Sequence, residues 1–226
     1  MADLAVVAAG GSGSRFGGVV KKQFLELCGT PLYIISLVRL KKAGLFDEIR
    51  LVVPEEDREK TWGELKSAGL DDIVLRRGGA TRQESVKNGL RGGTFDFVAI
   101  HDAARPFFSA ALLREGMKAV RNSPCVIPVT AIADTVKAVK GENVLATLDR
   151  DCLKAVQTPQ FFDYGMIVEL HDIFSGGCHG DDARLFELKK LPVKTIIGDR
   201  FNFKITTNDD MILAEALFRK GVLCTE

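Results

Sequence analysis

Leu4-Ala5-Val6-Val7-Ala8-Ala9-Gly10-Gly11-Ser12-Gly13-Ser14-Arg15-Phe16-Gly17, closing on Lys21-Lys22-Gln23, is the stretch on which the reading of this chain turns. Leu4–Val7 is short and continuously apolar, the pattern of a buried first strand. Four glycines, Gly10, Gly11, Gly13 and Gly17, follow within eight positions. They keep side chains away, so backbone N–H groups can close on an anionic ligand. Arg15 and Lys22 add fixed positive charge at the rim. A strand, a glycine loop and two cations describe a phosphate cradle. A plain surface turn is the alternative, and it accounts neither for the buried strand ahead of the loop nor for the cations.

Two other glycine loops do not fit. A P-loop ends in Gly-Lys-Ser/Thr and runs into a helix, and no such tripeptide occurs. A dinucleotide fingerprint needs GxGxxG opening a helix. Here the third glycine of Gly11-x-Gly13 falls one place late, at Gly17, and Gly17-Gly18-Val19-Val20 starts a helix poorly. The cradle is expected to be an extended loop without a helix dipole behind it.

The 226 residues suffice for one domain with an appendage. Apolar content of 46% and charged content of 27% are those of an ordinary globule. A net charge of +1 argues against a general nucleic-acid or membrane-surface role. No apolar run approaches the roughly 20 residues that cross a bilayer, and the N-terminus lacks the pattern of a signal peptide. The five cysteines, Cys28, Cys125, Cys152, Cys178 and Cys224, are scattered without a CxxC. They read as reduced thiols of a cytoplasmic protein rather than as a zinc site.

Along the chain, Pro31 opens a helix through Lys42 that Gly44 ends. Glu48–Val53 reads as a second strand, Arg58–Ala68 as a surface helix carrying the packing residue Trp62, and Ile73–Leu75 as a third strand. A cation-rich glycine turn follows, Arg76-Arg77-Gly78-Gly79-Ala80-Thr81-Arg82, then a helix over Ser85–Leu90. Phe95–Ile100 is a fourth strand, with His101-Asp102-Ala103-Ala104-Arg105 at its carboxyl end. A helix over Ala110–Val120 precedes a fifth strand, Cys125–Val129. This alternation specifies an α/β fold: a Rossmann-like, mostly parallel sheet with helices on both faces. Ligands bind such sheets outside the carboxyl ends of the strands, where the cradle, the Gly78–Arg82 turn and His101–Arg105 all fall.

The pattern then changes. Asp134–Val139 and Val144–Leu148 alternate about Lys140-Gly141-Glu142-Asn143, the signature of a β-hairpin. It reads as an arm, about 132–152, projecting from a single domain spanning 1–226. The chain returns through Gln157–Phe162 to a helix over Asp163–Phe174 and another over Asp181–Leu188. Val193–Ile197 and Asn202–Thr206 are read as late strands, and Asn208 as the cap of a last helix through Arg219.

The chemistry-bearing residues are rich in cations and poor in bases. Asp102 suits a magnesium or ligand-hydroxyl contact, or an ion pair with Arg105. His101, at the end of an apolar strand, reads as a packing residue, and Lys204 as a functional lysine among buried neighbours. Phosphoryl and nucleotidyl transfer need charge neutralisation and alignment rather than covalent help. A phosphate nucleophile is already ionised and needs no general base. Arg15, Lys22, Lys204 and a metal ion therefore fit nucleotidyl transfer onto a phosphate monoester.

The ordered segments AAGGSGSRFG…KKQF, GGATRQESVKNGL, HDAARPF, ADTVK, QTPQFF and FKITTNDDMILAEA together resemble the 2-C-methyl-D-erythritol 4-phosphate cytidylyltransferases of the non-mevalonate isoprenoid pathway. The resemblance implies a reaction of CTP with methylerythritol phosphate, Mg2+, and a homodimer. It implies that Arg15 and Lys22 stabilise the α-phosphate and the leaving pyrophosphate, and that Arg150 and Lys204 hold the substrate phosphate. Ala9, Gly10, Gly79 and Ser85 fall where the family contacts cytidine, with Gly11 and Gly13 in the same loop. Asp102, Ala103, Arg105 and Thr158 fall where it holds the polyol hydroxyls and nearby phosphates. The family usually has proline where Lys21 stands, and the loop carries one extra glycine. Packing of the arm about a two-fold axis would bring Arg150, and with it Thr158, into the partner's site. A ribitol 5-phosphate cytidylyltransferase and a non-catalytic nucleotide-binding regulator are the alternatives. The loop Ala9–Arg15 suits the first. The second has no reason to keep Lys22, Arg150 and Lys204 together.

Overall fold

The apolar run at the start forms β1 (Asp3–Ala8), buried along its length except at Ala8. The computed structural model describes residues 2–9, 25–176 and 179–221. Gly10, Gly11, Gly13, Arg15, Lys21 and Lys22 therefore lie outside the described residues, as do Cys178 and Cys224. A two-rung ladder of β2 (Glu26–Leu27) and β3 (Thr30–Pro31) leads into α1 (Leu32–Ala43). Gly44, at φ 62°, ends that helix by returning its N–H to Lys41 O.

Next come β4 (Glu48–Val53), α2 (Arg58–Ser67), β5 (Val74–Arg77) and α3 (Arg82–Leu90). They are followed by β6 (Phe97–Asp102), α4 (Ala110–Val120) and β7 (Cys125–Ala131). The hairpin is β8 (Val136–Lys140) and β9 (Asn143–Leu148). After it run β10 (Lys154–Val156), β11 (Gln160–Asp163), α5 (Tyr164–Ile173), α6 (Ala183–Leu188), β12 (Lys194–Ile197) and α7 (Asn208–Arg219).

The main sheet runs β10-β7-β11-β6-β1-β4-β5, with β12 alongside β7. Strands β5, β4, β1 and β6 are parallel, and β12 pairs parallel with β7, whereas β11 and β10 pair antiparallel. The chain builds outward from β1 to β4 and β5, then returns to place β6 on the other side of β1. That reversal is a topological switch point, and its crevice opens at the carboxyl ends of β1 and β6. Alternate residues divide between the two faces. Ala5, Val7 and Phe161 join the cluster with Leu37 and Phe108, while Leu4, Val6 and Phe162 join the one with Val86 and Phe186. A smaller cluster of Leu27, Leu32, Phe107, Ile205 and Ala214 seats α7 beside the switch point.

Helix α3 is fixed closely on the sheet. A Cβ at Gly89 would lie 2.6 Å from Val6 Cγ1 and 2.7 Å from Val52 Cγ2, so only glycine lets the helix approach. Its carboxyl end is capped by Arg50, whose side chain is 1% exposed. The Arg50 guanidinium donates to Gly89 O, Arg91 O and Gly92 O and lies 5.1 Å above the Phe95 ring. A buried cation on the unpaired carbonyls of a helix end satisfies both.

Several expectations need correction. Gln160–Asp163 is a central antiparallel strand between β6 and β7 rather than a return loop. Only four residues long, it lacks the turn-bounded alternation that marks a strand. Residues 202–206 form no strand. Helix α3 begins at Arg82, three residues earlier than expected, because Thr81 Oγ1 accepts from Glu84 N–H. Thr207, not Asn208, caps α7 in a reciprocal capping box with Asp210. Trp62, on the surface helix as expected, is 37% exposed and has Lys66 Nζ 5.1 Å from its ring.

Candidate active site

Asp102, the last residue of β6, stands at the switch point. Its register partner across the sheet is Ala8, and Ala103 N–H donates to Ala8 O at 3.2 Å. The carboxyl end of β1 and the turn after β6 are thereby held together. Ala9 and Ala103 are both buried, and the Ala9 N–H is already bonded to Val52 O. Any contact of Ala9 with a ligand through its backbone therefore falls to its carbonyl.

The Asp102 carboxylate is 11% exposed and carries a cation on each oxygen: Arg82 Nε at 2.9 Å from Oδ1 and Lys204 Nζ at 2.6 Å from Oδ2. Burial alone would raise its pKa, but the two cations outweigh that and hold the carboxyl well below the usual range. Asp102 is ionised at any working pH. The expected ion pair with Arg105 is not formed. Arg105 turns away and donates to Asn202 O in the irregular segment and to Val156 O at the end of β10. Burial lowers the Arg105 pKa, and it remains a cation.

Lys204 rides on that irregular segment, which the turn after β6 positions. Ile205 N–H donates to Ala104 O, Asn202 Nδ2 to Thr158 O, and Phe203 stacks on Phe107 at 5.5 Å. Ile205 and Asn202 are fully buried while the Lys204 side chain is 38% exposed, so its ammonium reaches the crevice. Lysine amid buried neighbours is here a clamped cation, not a snorkelling one.

The second glycine turn closes on itself. Gly79 N–H donates to Ser85 Oγ at 3.0 Å, and Ser85 Oγ donates to Thr81 O at 2.8 Å. Glu84 folds over the turn to accept from Ala80 N–H, and a Cβ at Gly79 would lie 2.5 Å from Glu84 Cβ. Ser85 is fully buried and shapes this turn from beneath. Arg82 is not an idle cation of the turn, because its Nη1 also holds Asp182 Oδ2 at 2.8 Å.

Thr158 lies in this same cluster, 5% exposed, with its hydroxyl accepting from Asp102 N–H at 3.0 Å. The expectation that it serves a partner's site is therefore corrected: pairing of β11 with β6 brings it to its own chain's Asp102. Arg150 is not brought to the cluster. It lies exposed after the hairpin and donates to Ala133 O at 2.6 Å.

The structure thus unites Ala9, Asp102, Ala103, Arg105, Thr158 and Lys204 at the strand ends, with Gly79 and Ser85 joined through Arg82. Arg82 was legible as a cation of the glycine turn, but its pairing with Asp182, 100 positions away, had no signal in spacing or composition. Three cations against two carboxylates leave the described cluster attractive to a phosphate.

The whole chain has known counterparts. The family model described as 2-C-methyl-D-erythritol 4-phosphate cytidylyltransferase matches residues 4–220. A protein of that name from Carboxydothermus hydrogenoformans is 41% identical, over 95% of this chain and 94% of its own. The crystal structure of 4-diphosphocytidyl-2C-methyl-D-erythritol synthase from Anaerococcus prevotii superposes with a TM-score of 0.85 at 31% identity, covering 96% of both chains. That of 2-C-methyl-D-erythritol 4-phosphate cytidylyltransferase from Thermus thermophilus gives 0.80 at 31% identity, covering 95% of this chain and 98% of its own.

His101 supplies a pH prediction. It is 1% exposed and edge-on to Phe108 at 4.5 Å. Its Nε2 lies 3.0 Å from Arg105 O and its Nδ1 3.1 Å from Thr158 Oγ1. Arg105 O can only accept, so Nε2 carries the proton and the Thr158 hydroxyl donates to Nδ1. The ring is a structural acceptor, not a base in the crevice. Burial pushes its pKa down to about 3. The unfolded chain therefore takes up this proton first as pH falls, and the stability it contributes above about pH 6.5 is lost progressively toward pH 3. Urea unfolding at about pH 5 should show about 2 kcal/mol less stability than at about pH 7.5 from this group. His101→Gln, whose amide can still reach Arg105 O, should remove that increment; an unchanged pH dependence contradicts the assignment.

Proposed function

The chain belongs to the 2-C-methyl-D-erythritol 4-phosphate cytidylyltransferase family, and we propose from that premise how its own residues carry the reaction. It is a nucleotidyltransferase that joins CTP to 2-C-methyl-D-erythritol 4-phosphate, giving 4-diphosphocytidyl-2-C-methyl-D-erythritol and pyrophosphate in isoprenoid precursor biosynthesis. A phosphate oxygen of the polyol substrate attacks the α-phosphorus of CTP in line. The bond from that phosphorus to the bridging oxygen breaks, and pyrophosphate leaves with the electron pair. No proton need be removed from the attacking oxygen, which agrees with a described cluster whose histidine is locked as an acceptor.

Catalysis then rests on placing positive charge where it is needed. Lys204 holds the substrate phosphate at the crevice, and the observation that carries the reading is its clamping by ionised Asp102 at the switch point. Arg105 and Thr158 border the polyol. Gly79 and Ser85 shape the turn beside the nucleoside, and Ala9 and Gly10 approach the base through backbone. Arg15 and Lys22, in the glycine loop with Gly11 and Gly13, neutralise the α-phosphate and the leaving group.

The Asp102 donor set fits a magnesium ion. Each carboxylate oxygen holds one cation and has a second lone pair. Magnesium is commonly held by one or two carboxylates with substrate phosphates completing its shell. When bound, the ion draws charge from the phosphate oxygens of CTP. No helix of the described residues is long and apolar enough to cross a membrane, and we read the protein as a cytoplasmic enzyme of one domain with a hairpin arm.

The arm supports a homodimer. Among the described residues, strands β8 and β9 pair only with each other, and Val139, Val144, Leu145 and Leu148 are 40–65% exposed. A lone two-stranded hairpin is marginal in water, and a second copy about a two-fold axis covers it. Arg150 then enters the partner's site to share the substrate phosphate with Lys204.

Two outcomes test these readings. With CTP, pyrophosphate release should be at least about 100-fold more efficient with methylerythritol phosphate than with ribitol 5-phosphate. Comparable or reversed efficiencies would place the chain with the ribitol enzymes, and no release with either would leave a nucleotide-binding regulator. Second, Lys22→Ala and Arg150→Ala should each be nearly inactive alone. Co-refolded as a heterodimer, they place both lesions in one site and leave the other intact, so activity should partly return. Heterodimers as inactive as their parents would show that Arg150 does not act in trans.

A further inference from the structure

Arg82 occupies the first position of α3, where the unpaired N–H groups of a helix disfavour a cation. It is held there by two carboxylates, Asp102 on Nε and Asp182 on Nη1, with Arg82 28% exposed and Asp182 only 2%. Asp182 stands at the N-cap position of α6 yet makes no capping hydrogen bond. Asp181 instead accepts from Arg184 N–H. The Asp182 carboxylate is spent on Arg82, with its other oxygen facing His171 Nε2 at 3.2 Å. Burial would raise its pKa, but Arg82 and His171 reverse that and keep it charged.

The result is a chain of alternating charge, Asp182–Arg82–Asp102–Lys204, running from the base of α6 to the crevice. A buried pair of this kind is seldom more stabilising than apolar residues of the same shape, so stability alone does not explain it. Geometry does. An arginine fork facing a single carboxylate tends to engage both oxygens. Asp182 anchors the guanidinium through Nη1 in the orientation that meets Asp102 with Nε on Oδ1, while Lys204 holds Oδ2. Without Asp182 the fork can close on both oxygens of Asp102 and compete with the lysine.

We propose that Asp182 is a positioning residue for the transfer reaction, acting through Arg82 and Asp102 to aim the Lys204 ammonium at the substrate phosphate. The proposal rests on the role given to Lys204 above. A double-mutant cycle of Asp182→Asn and Lys204→Met, read by steady-state kinetics in both substrates, separates the two. Asp182→Asn alone should lower kcat/KM for methylerythritol phosphate by about 10-fold or more and change KM for CTP by less than about 2-fold. In the Lys204→Met background the same change should add less than about 2-fold, because the group it positions is gone.

Equal losses in the two backgrounds, or a matching rise in KM for CTP, would make Asp182 merely structural and overturn the proposal. A Lys204→Met enzyme of near-normal efficiency would instead overturn the role of Lys204 and the proposal with it. Should Asp182→Asn fail to fold by circular dichroism, Asp182→Glu takes its place in the cycle. It keeps the charge, displaces the oxygens by one methylene, and should show the same background dependence with a smaller loss, about 3-fold. Equal losses in both backgrounds overturn the proposal there too.

Discussion

A carboxylate 11% exposed at the end of a central strand is costly to keep charged unless cations meet it at close range. Asp102 is met on both oxygens, and much of the molecule serves that meeting. Arg82 arrives from α3, Lys204 from an irregular segment, and the Asp102 N–H is taken by Thr158 from the strand pairing on the other side. Three parts of the chain remote in sequence are thus tied to one residue. Removing any of them leaves charge or a hydrogen-bonding group unpaired in a place water scarcely reaches.

The elements that bring these groups are themselves fixed by buried contacts far from the crevice. Helix α3 is pinned at its carboxyl end by Arg50 and along its length by the missing side chain of Gly89. Its amino end, with Thr81 and Arg82, is thereby aimed at β6. On the far side, Arg105 and the Phe107–Phe203 stack hold the Lys204 segment, which has no strand ladder of its own. The rigidity sits in packed elements, and the reacting groups are carried at their ends.

Much of this was legible from local pattern. The alternation from Leu4 to Val129 gives the parallel half of the sheet because each strand and helix there carries its own periodicity. Asp102 and Lys204 stand out because a charge beside buried residues is rare. What escaped depends on contacts that no local pattern encodes. Strand β11 is four residues long and follows a proline. Residues 202–206 alternate like a strand, but Asn202 spends its backbone and side chain on Asp199 and Thr158 instead of a ladder. The arginine expected beside Asp102 was Arg105, three residues on, whereas the arginine that pairs with it is 20 positions earlier, at the start of α3. Proximity in sequence is a poor guide to which of several arginines meets a buried acid.

The central claim is that ionised Asp102 holds Lys204 where the substrate phosphate must lie. Asp102→Asn tests it most directly, because it keeps the shape of the side chain and removes the charge between the two cations. In variant protein shown to be folded, kcat/KM for methylerythritol phosphate should fall by about 100-fold or more. Efficiency within about 3-fold of the unaltered enzyme would contradict the account.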